Sequence, residues 1–240
     1  MSNNILFIFE GAKTEKSITD NLIKFFVNEN TVVTCAYCTT IYKMYSEISA
    51  DEYLDTFNLV KDIEANKDSL KDYKRSDFAQ IFMFFDYDGH ATNASDKKLN
   101  DLLDFFNEET EKGKLYISYP MVEALKHIES YDTFKDLIVA SQDFENYKKI
   151  VSDNCIETLK HFHLYDIDTW KTVIKSHLMK MNDIVNDTYQ FPISIIDQLK
   201  IFSKQIEKYI NKDKTVAILS AFPIFLHDYY GNEELRKRIE

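Results

Sequence analysis

Two runs of consecutive apolar residues, Ile5-Leu-Phe-Ile-Phe9 and Ile81-Phe-Met-Phe-Phe85, dominate the pattern because neither alternates with polar positions. Such runs suit strands covered on both faces, as in a parallel sheet. Both end in acid: Glu10-Gly11 after the first, Asp86-Tyr87-Asp88-Gly89-His90 after the second. The β-branched stretch Thr31–Cys38 and the short Leu115-Tyr-Ile-Ser118 predict two more strands. Helical spacing separates them. Ile18, Leu22, Phe25 and Phe26 share a face over about 14–27, and Met44, Ile48, Leu54, Phe57 and Val60 recur over 41–73. Leu99, Leu102, Leu103 and Phe106 do the same over 96–111, and Pro120 is suited to open a helix holding Met121, Val122, Glu123, Leu125 and Ile128. Strands alternating with helices over residues 5–128 predict an α/β fold with a mainly parallel sheet.

Beyond this the pattern changes. From about 132 to 212 apolar and aromatic positions keep helical spacing and no strand is predicted. Val216-Ala-Ile-Leu219 reads as a last strand returning to the sheet, and Pro223–Tyr230 as a last helix. The expected division is therefore an α/β domain over 1–130 and a mostly helical elaboration over 131–240. The 240 residues hold only 4 Gly and 3 Pro, which favours long helices with few tight turns. No apolar run reaches membrane-span length and no signal-peptide pattern opens the chain, so a soluble cytoplasmic protein is expected.

Charge and cysteine usage narrow the chemistry. A net charge of −11 argues against a protein that grips nucleic acid unaided, since phosphate contacts dominate such binding. It leaves room for one that works through metal ions, a local basic strip or a basic partner. Cys35 and Cys38 have a zinc-like spacing, but the second ligand pair that zinc requires is missing, so they read as thiols near a strand end. His90 reads as a solvated loop histidine and His161-Phe-His163 as surface; Trp170 reads as core.

The acids carry the functional expectation. In open parallel sheets ligands bind at the carboxyl ends of strands. If the two apolar strands are neighbours, Glu10, Asp86 and Asp88 converge, and their mutual repulsion calls for a cation. Ligation by carboxylates alone favours Mg²⁺ or Mn²⁺ over zinc and suits phosphoryl transfer. Gly11 would let a phosphate approach the backbone, with Lys13 pairing to it. Glu123 lies either on a solvated stripe or aimed at a site.

These residues resemble a family. A hydrophobic strand, Glu-Gly, a helix, and a hydrophobic strand ending in Asp-x-Asp is similar to the Toprim domain of topoisomerases, primases and OLD-family nucleases. Phe9-Glu-Gly-Ala-Lys-Thr-Glu15 resembles the Glu-Gly-x-x-Thr-Glu opening of RloB-like proteins, and Tyr116-Ile-Ser-Tyr-Pro-Met-Val-Glu123 their Ser-Asn-Pro-x-x-Glu stretch. Tyr119 stands where that pattern has Asn. The likeness covers about residues 5–128. It implies a Rossmann-like Toprim sheet flanked by helices and a Mg²⁺-dependent nuclease acting on RNA (such as tRNA) or DNA. Such nucleases occur beside ATPases in bacterial anti-phage systems, so an ATPase partner is implied, and a homo-oligomer is compatible with it. By position, Glu10, Asp86 and Asp88 would hold metal. Glu15 and Glu123 would be secondary acids, with Lys13 a phosphate contact.

Other readings compete. Phe85-Asp-Tyr-Asp-Gly89 also resembles the nucleophile motif of haloacid-dehalogenase-type phosphatases, with Asp86 as nucleophile, although His90 replaces their Thr and Glu10 is then unexplained. A P-loop fails, because Gly11-Ala-Lys-Thr14 lacks the glycine before lysine. A Toprim-shaped binding module without turnover stays open.

Overall fold

The structure is a computed structural model that describes residues 4–27, 31–38, 41–50, 53, 55–87 and 95–240. It divides into two units, Met1–Phe85 with Thr92–Tyr116 and Asp86–Ala91 with Ile117–Glu240. The expected architecture is present: an α/β fold with a mainly parallel, Rossmann-like sheet flanked by helices.

In the first unit the apolar runs become β1 (Asn4–Phe9) and β3 (Phe78–Asp86), buried almost end to end. Helix α1 (Thr14–Phe26) follows β1, and β2 (Val32–Tyr37) follows α1. The 41–73 segment is not one helix: it gives α2 (Ile41–Ala50), α3 (Thr56–Lys61), one 3₁₀ turn and α4 (Lys67–Leu70). Asp55 stops any continuous helix there by accepting from the backbone N–H groups of Phe57 and Asn58 as the cap of α3. Helix α5 (Asp96–Phe105) ends six residues short of expectation. The chain turns back instead, pairing β4 (Asn107–Glu108) antiparallel with β5 (Gly113–Ser118). The sheet order is β2-β1-β3-β5-β4. Both β2 and β3 pair parallel with β1, and Phe9 is registered with Phe84. Phe7, Phe9, Phe82, Phe84 and Tyr116 interlock as rings along it.

The edge strand β2 would leave Tyr37 with an open backbone. Asn66, fully buried, closes it: its side-chain oxygen accepts from Tyr37 N at 2.8 Å and its Nδ2 donates to Tyr37 O at 2.7 Å. An amide can mimic a strand partner in this way, because it offers one donor and one acceptor side by side.

The second unit is built on the 20-residue helix α7 (Ile167–Asn186), which follows α6 (Tyr147–Asn154). Trp170, Val173, Ile174, Leu178, Met181, Ile184 and Val185 recur at helical spacing on its buried face. It packs with α8 (Gln198–Gln205), α10 (Ala221–Tyr230) and α11 (Asn232–Ile239). One π turn joins α8 to α9 (Asn211–Asp213). The sequence misses one strand here. β6 (Ile138–Ala140) lies inside the stretch expected to be helical, and it pairs antiparallel with β7 (Thr215–Ala217). The expected last strand therefore forms, but in a separate two-stranded sheet rather than the main one. Gln205 repeats the Asn66 device, exchanging two hydrogen bonds with Ala217. A helix beyond the expected last one, α11, follows the positive-φ Gly231.

Helix α7 also carries His177, wholly buried. Its Nδ1 accepts from Ser220 N at 3.2 Å, so its Nε2–H donates to Leu125 O at 3.3 Å. This pairing admits only the neutral ring, and burial pulls the pKa down to about 3. The folded-state pKa lies below the ordinary value of 6.5, so this stability is complete above that value. It is lost as pH falls through the window from 6.5 to about 3. Urea titrations are expected to show a flat contribution from this group above pH 6.5 and a loss of roughly 1 kcal/mol per pH unit between pH 6.5 and 4. His177→Gln is expected to flatten that slope, although the variant is less stable at pH 7.

Candidate functional site

Each candidate acid has a definite local setting. Glu10 follows β1 and is half-buried; Asp86 is the last residue of β3 and also half-buried. Within the first unit β1 and β3 are paired parallel neighbours, with Phe9 registered with Phe84. Asp88 and His90 lie outside the described residues. Lys13 is exposed at the N-cap of α1, its side chain making no cap hydrogen bond.

Glu15 lies in the first turn of α1 and folds back onto the strand end. Its side chain is buried, and its Oε1 accepts from Gly11 N at 3.1 Å. A Cβ on Gly11 would lie 2.8 Å from both Glu15 oxygens. The expectation that Gly11 leaves room for a phosphate is therefore corrected: the Glu15 carboxylate fills that space and uses the Gly11 N–H. The glycine serves the loop that presents Glu10.

In the second unit, Tyr87 anchors the chain directly after Asp86. It is buried, its N–H donates to Ser118 O at 2.9 Å, and its ring meets Tyr119, Phe144 and Phe202. The middle residue of Asp-x-Asp is thus core. The segment after β5 is equally fixed. Tyr119 and Leu219 exchange backbone hydrogen bonds at 2.8 and 3.1 Å, and Ser118 Oγ accepts from Ala221 N. The next turn, Val122–Lys126, is a short 3₁₀ helix rather than the expected α-helix opened by Pro120. Val122, Glu123, Ala124 and Leu125 are all buried, which leaves no solvated face for an amphipathic α-helix.

Glu123 is the unusual group. It is 5 % exposed, and its Oε2 has no hydrogen-bond partner among the described residues. Its Oε1 lies 3.6 Å from Lys148 Nζ, beyond hydrogen-bond length, and that lysine side chain is 71 % exposed. Tyr147, the first residue of α6, is fully buried, and its hydroxyl is 2.8 Å from His127 Nδ1. Burial raises the Tyr147 pKa well above 10, and the negative charges of Glu123 and Asp86 push it further. Asp86 and Glu123 therefore both act on one buried phenol, which stays protonated. Burial likewise holds His127 below the usual imidazole range, against the opposing pull of Glu129.

Among the described residues no three His, Cys, Asp or Glu side chains form a metal-binding group. Asp86 and Glu123 are carboxylates, the donor type that suits a hard cation, and the Glu123 Oε2 without a partner among the described residues fits such an ion. Other candidates are structural or solvated. Cys35 is a free thiol pushed up to about 11 by burial, which is inert rather than nucleophilic. Trp170 is core, and His161 and His163 are exposed. Tyr147, His127 and Lys148 were not anticipated. Nothing in the local sequence distinguishes them from ordinary amphipathic-helix residues, because Tyr147 and His127 meet across twenty positions and Lys148 reaches a glutamate in a 3₁₀ turn.

No protein-family model matches the chain, and comparison with curated proteins and with solved structures finds no match. No helix among the described residues is long and apolar enough to cross a membrane.

A double-mutant cycle tests the loop that presents Glu10. Gly11→Ala is expected to cost about 1–2 kcal/mol in thermal or urea melts, because the Glu15 carboxylate must move and lose its backbone donor. In a Glu15→Ala background the same substitution is expected to be close to neutral.

Proposed function

We propose that this chain is a Mg²⁺- or Mn²⁺-dependent nuclease of Toprim type that hydrolyses phosphodiester bonds in RNA or DNA. The observation that carries the proposal is the buried Glu123 Oε2, which has no partner among the described residues, with the charge of Asp86 acting on the same buried tyrosine as that of Glu123. Support also comes from the sheet, in which β1 and β3, the two strands followed by acids in the sequence, are parallel neighbours. The motif resemblance adds the reaction class.

In this reading Asp86 and Glu123 would hold the ion, and the motif resemblance would add Glu10 and Asp88. A bound divalent ion supplies a water of lowered pKa and stabilises the leaving oxygen. The chain's own residues do the rest. Tyr147 keeps its proton, because burial and the charges of Glu123 and Asp86 raise its pKa, and its hydroxyl stays paired with His127 Nδ1. Glu15 braces the Glu10 loop through Gly11 N–H rather than binding metal. Lys13, exposed at the start of α1, is available to a phosphate. A net charge of −11 fits an enzyme that depends on metal, and on an ATPase partner, to bring a polyanion to the site. A cytoplasmic anti-phage setting belongs to the same proposal.

The test is cleavage of tRNA, single-stranded DNA and duplex DNA by the purified chain with Mn²⁺, alone and with chelator. Glu10→Ala and Asp86→Ala are each expected to lower cleavage by about 10²-fold or more while the circular dichroism melt stays cooperative. Cleavage that survives Asp86→Ala, or that needs no metal, contradicts the proposal. Loss with Asp86→Ala but not with Glu10→Ala points to the phosphatase reading instead.

A further inference from the structure

Lys148 has no role in the chemistry above, yet it is the cation nearest to Glu123 that the described residues provide. Its geometry is that of a loose occupant. The Nζ–Oε1 separation of 3.6 Å exceeds a hydrogen bond, and only Oε1 is engaged while Oε2 has no partner among the described residues. The two ends of the pair differ sharply in exposure: 71 % for the lysine side chain and 7 % for the glutamate. The ammonium therefore keeps most of its hydration, and the pair resembles a surface ion pair in energy rather than a buried one. The helix start beneath it is fixed, because Tyr147 is fully buried and bound to His127. Lys148 can thus leave by rotation about its own flexible stem, with no backbone movement.

We infer that Lys148 is a displaceable counter-ion: it partly neutralises Glu123 while the site lacks a metal and yields when a divalent cation binds. The inference rests on the metal reading above. A divalent ion carries twice the charge and approaches a carboxylate oxygen to about 2.1 Å. By Coulomb's law its attraction to Glu123 is roughly three times that of the ammonium at 3.6 Å. It also satisfies Oε2, which the lysine does not. These attractions oppose the cost of dehydrating the ion, and the lysine's competition loosens its hold.

The test is isothermal titration of Mn²⁺ into the metal-free full chain and its variants. Lys148→Met is expected to bind Mn²⁺ about two- to fivefold more tightly, the equivalent of a surface ion pair. Lys148→Arg, which can engage both oxygens of the carboxylate, is expected to bind it more weakly. Lys149→Met removes the same charge from the next residue and is expected to leave the affinity unchanged. That control separates a specific contact from the general field. Lys148 is exposed, so these variants are expected to fold as the parent does. Wild-type binding with no gain in Lys148→Met, or an equal gain in Lys149→Met, overturns the counter-ion role and leaves the metal site standing. No Mn²⁺ binding by the wild-type chain or by Lys148→Met overturns both.

Discussion

A carboxyl group removed from water, one of its oxygens without a partner among the described residues, is the constraint on which the candidate site depends. Desolvating a charge costs several kcal/mol unless hydrogen bonds or an opposite charge compensate it. Among the described residues Glu123 receives a long contact from an exposed lysine and no hydrogen bond to Oε2. Its position is nonetheless held from several directions. His177 grips the carbonyl of Leu125 two residues on, Leu219 pairs with Tyr119, and Ser118 caps the start of α10 at Ala221.

The rest of the molecule shows what ordinary compensation looks like. Asn66 and Gln205 each lend a side-chain amide to an edge strand, satisfying a backbone N–H and C=O together. Lys180 is fully buried, but its ammonium donates to the carbonyls of Phe134 and Leu137 and lies 4.4 Å from the centre of the Phe134 ring. His177 is neutral and uses both ring nitrogens. Thr19, Gln198 and Thr215 leave neutral oxygens unpartnered, a smaller cost. Among the described residues Glu123 is the ionisable group with a buried unpartnered oxygen.

The fold was legible where burial leaves an unbroken signal. β1 and β3 are covered on both faces, so their residues form continuous apolar runs, and the acids that end them were visible for the same reason. Pairing was not legible: no local feature says that β1 lies between β2 and β3. Nor was β6, whose three residues are too few to show a period and whose partner β7 is more than seventy residues away. Gly11 was misread because its reason is an acid four positions on, folded back onto it, and not a ligand. Glu123 was left between a solvated stripe and a site. Its burial settles that choice against the stripe, and what buries it is a turn of a different kind from the expected helix.

The central claim is that Glu123 carries a charge awaiting a cation, and one thermal measurement in metal-free buffer addresses it. Glu123→Gln removes the charge and keeps the shape. It is expected to raise the metal-free melting temperature by a few degrees. It should also abolish the further rise that Mg²⁺ or Mn²⁺ gives the wild-type chain. A melting temperature lowered by the substitution, with the metal response intact, would show that Glu123 is an ordinary structural carboxylate and contradict the account.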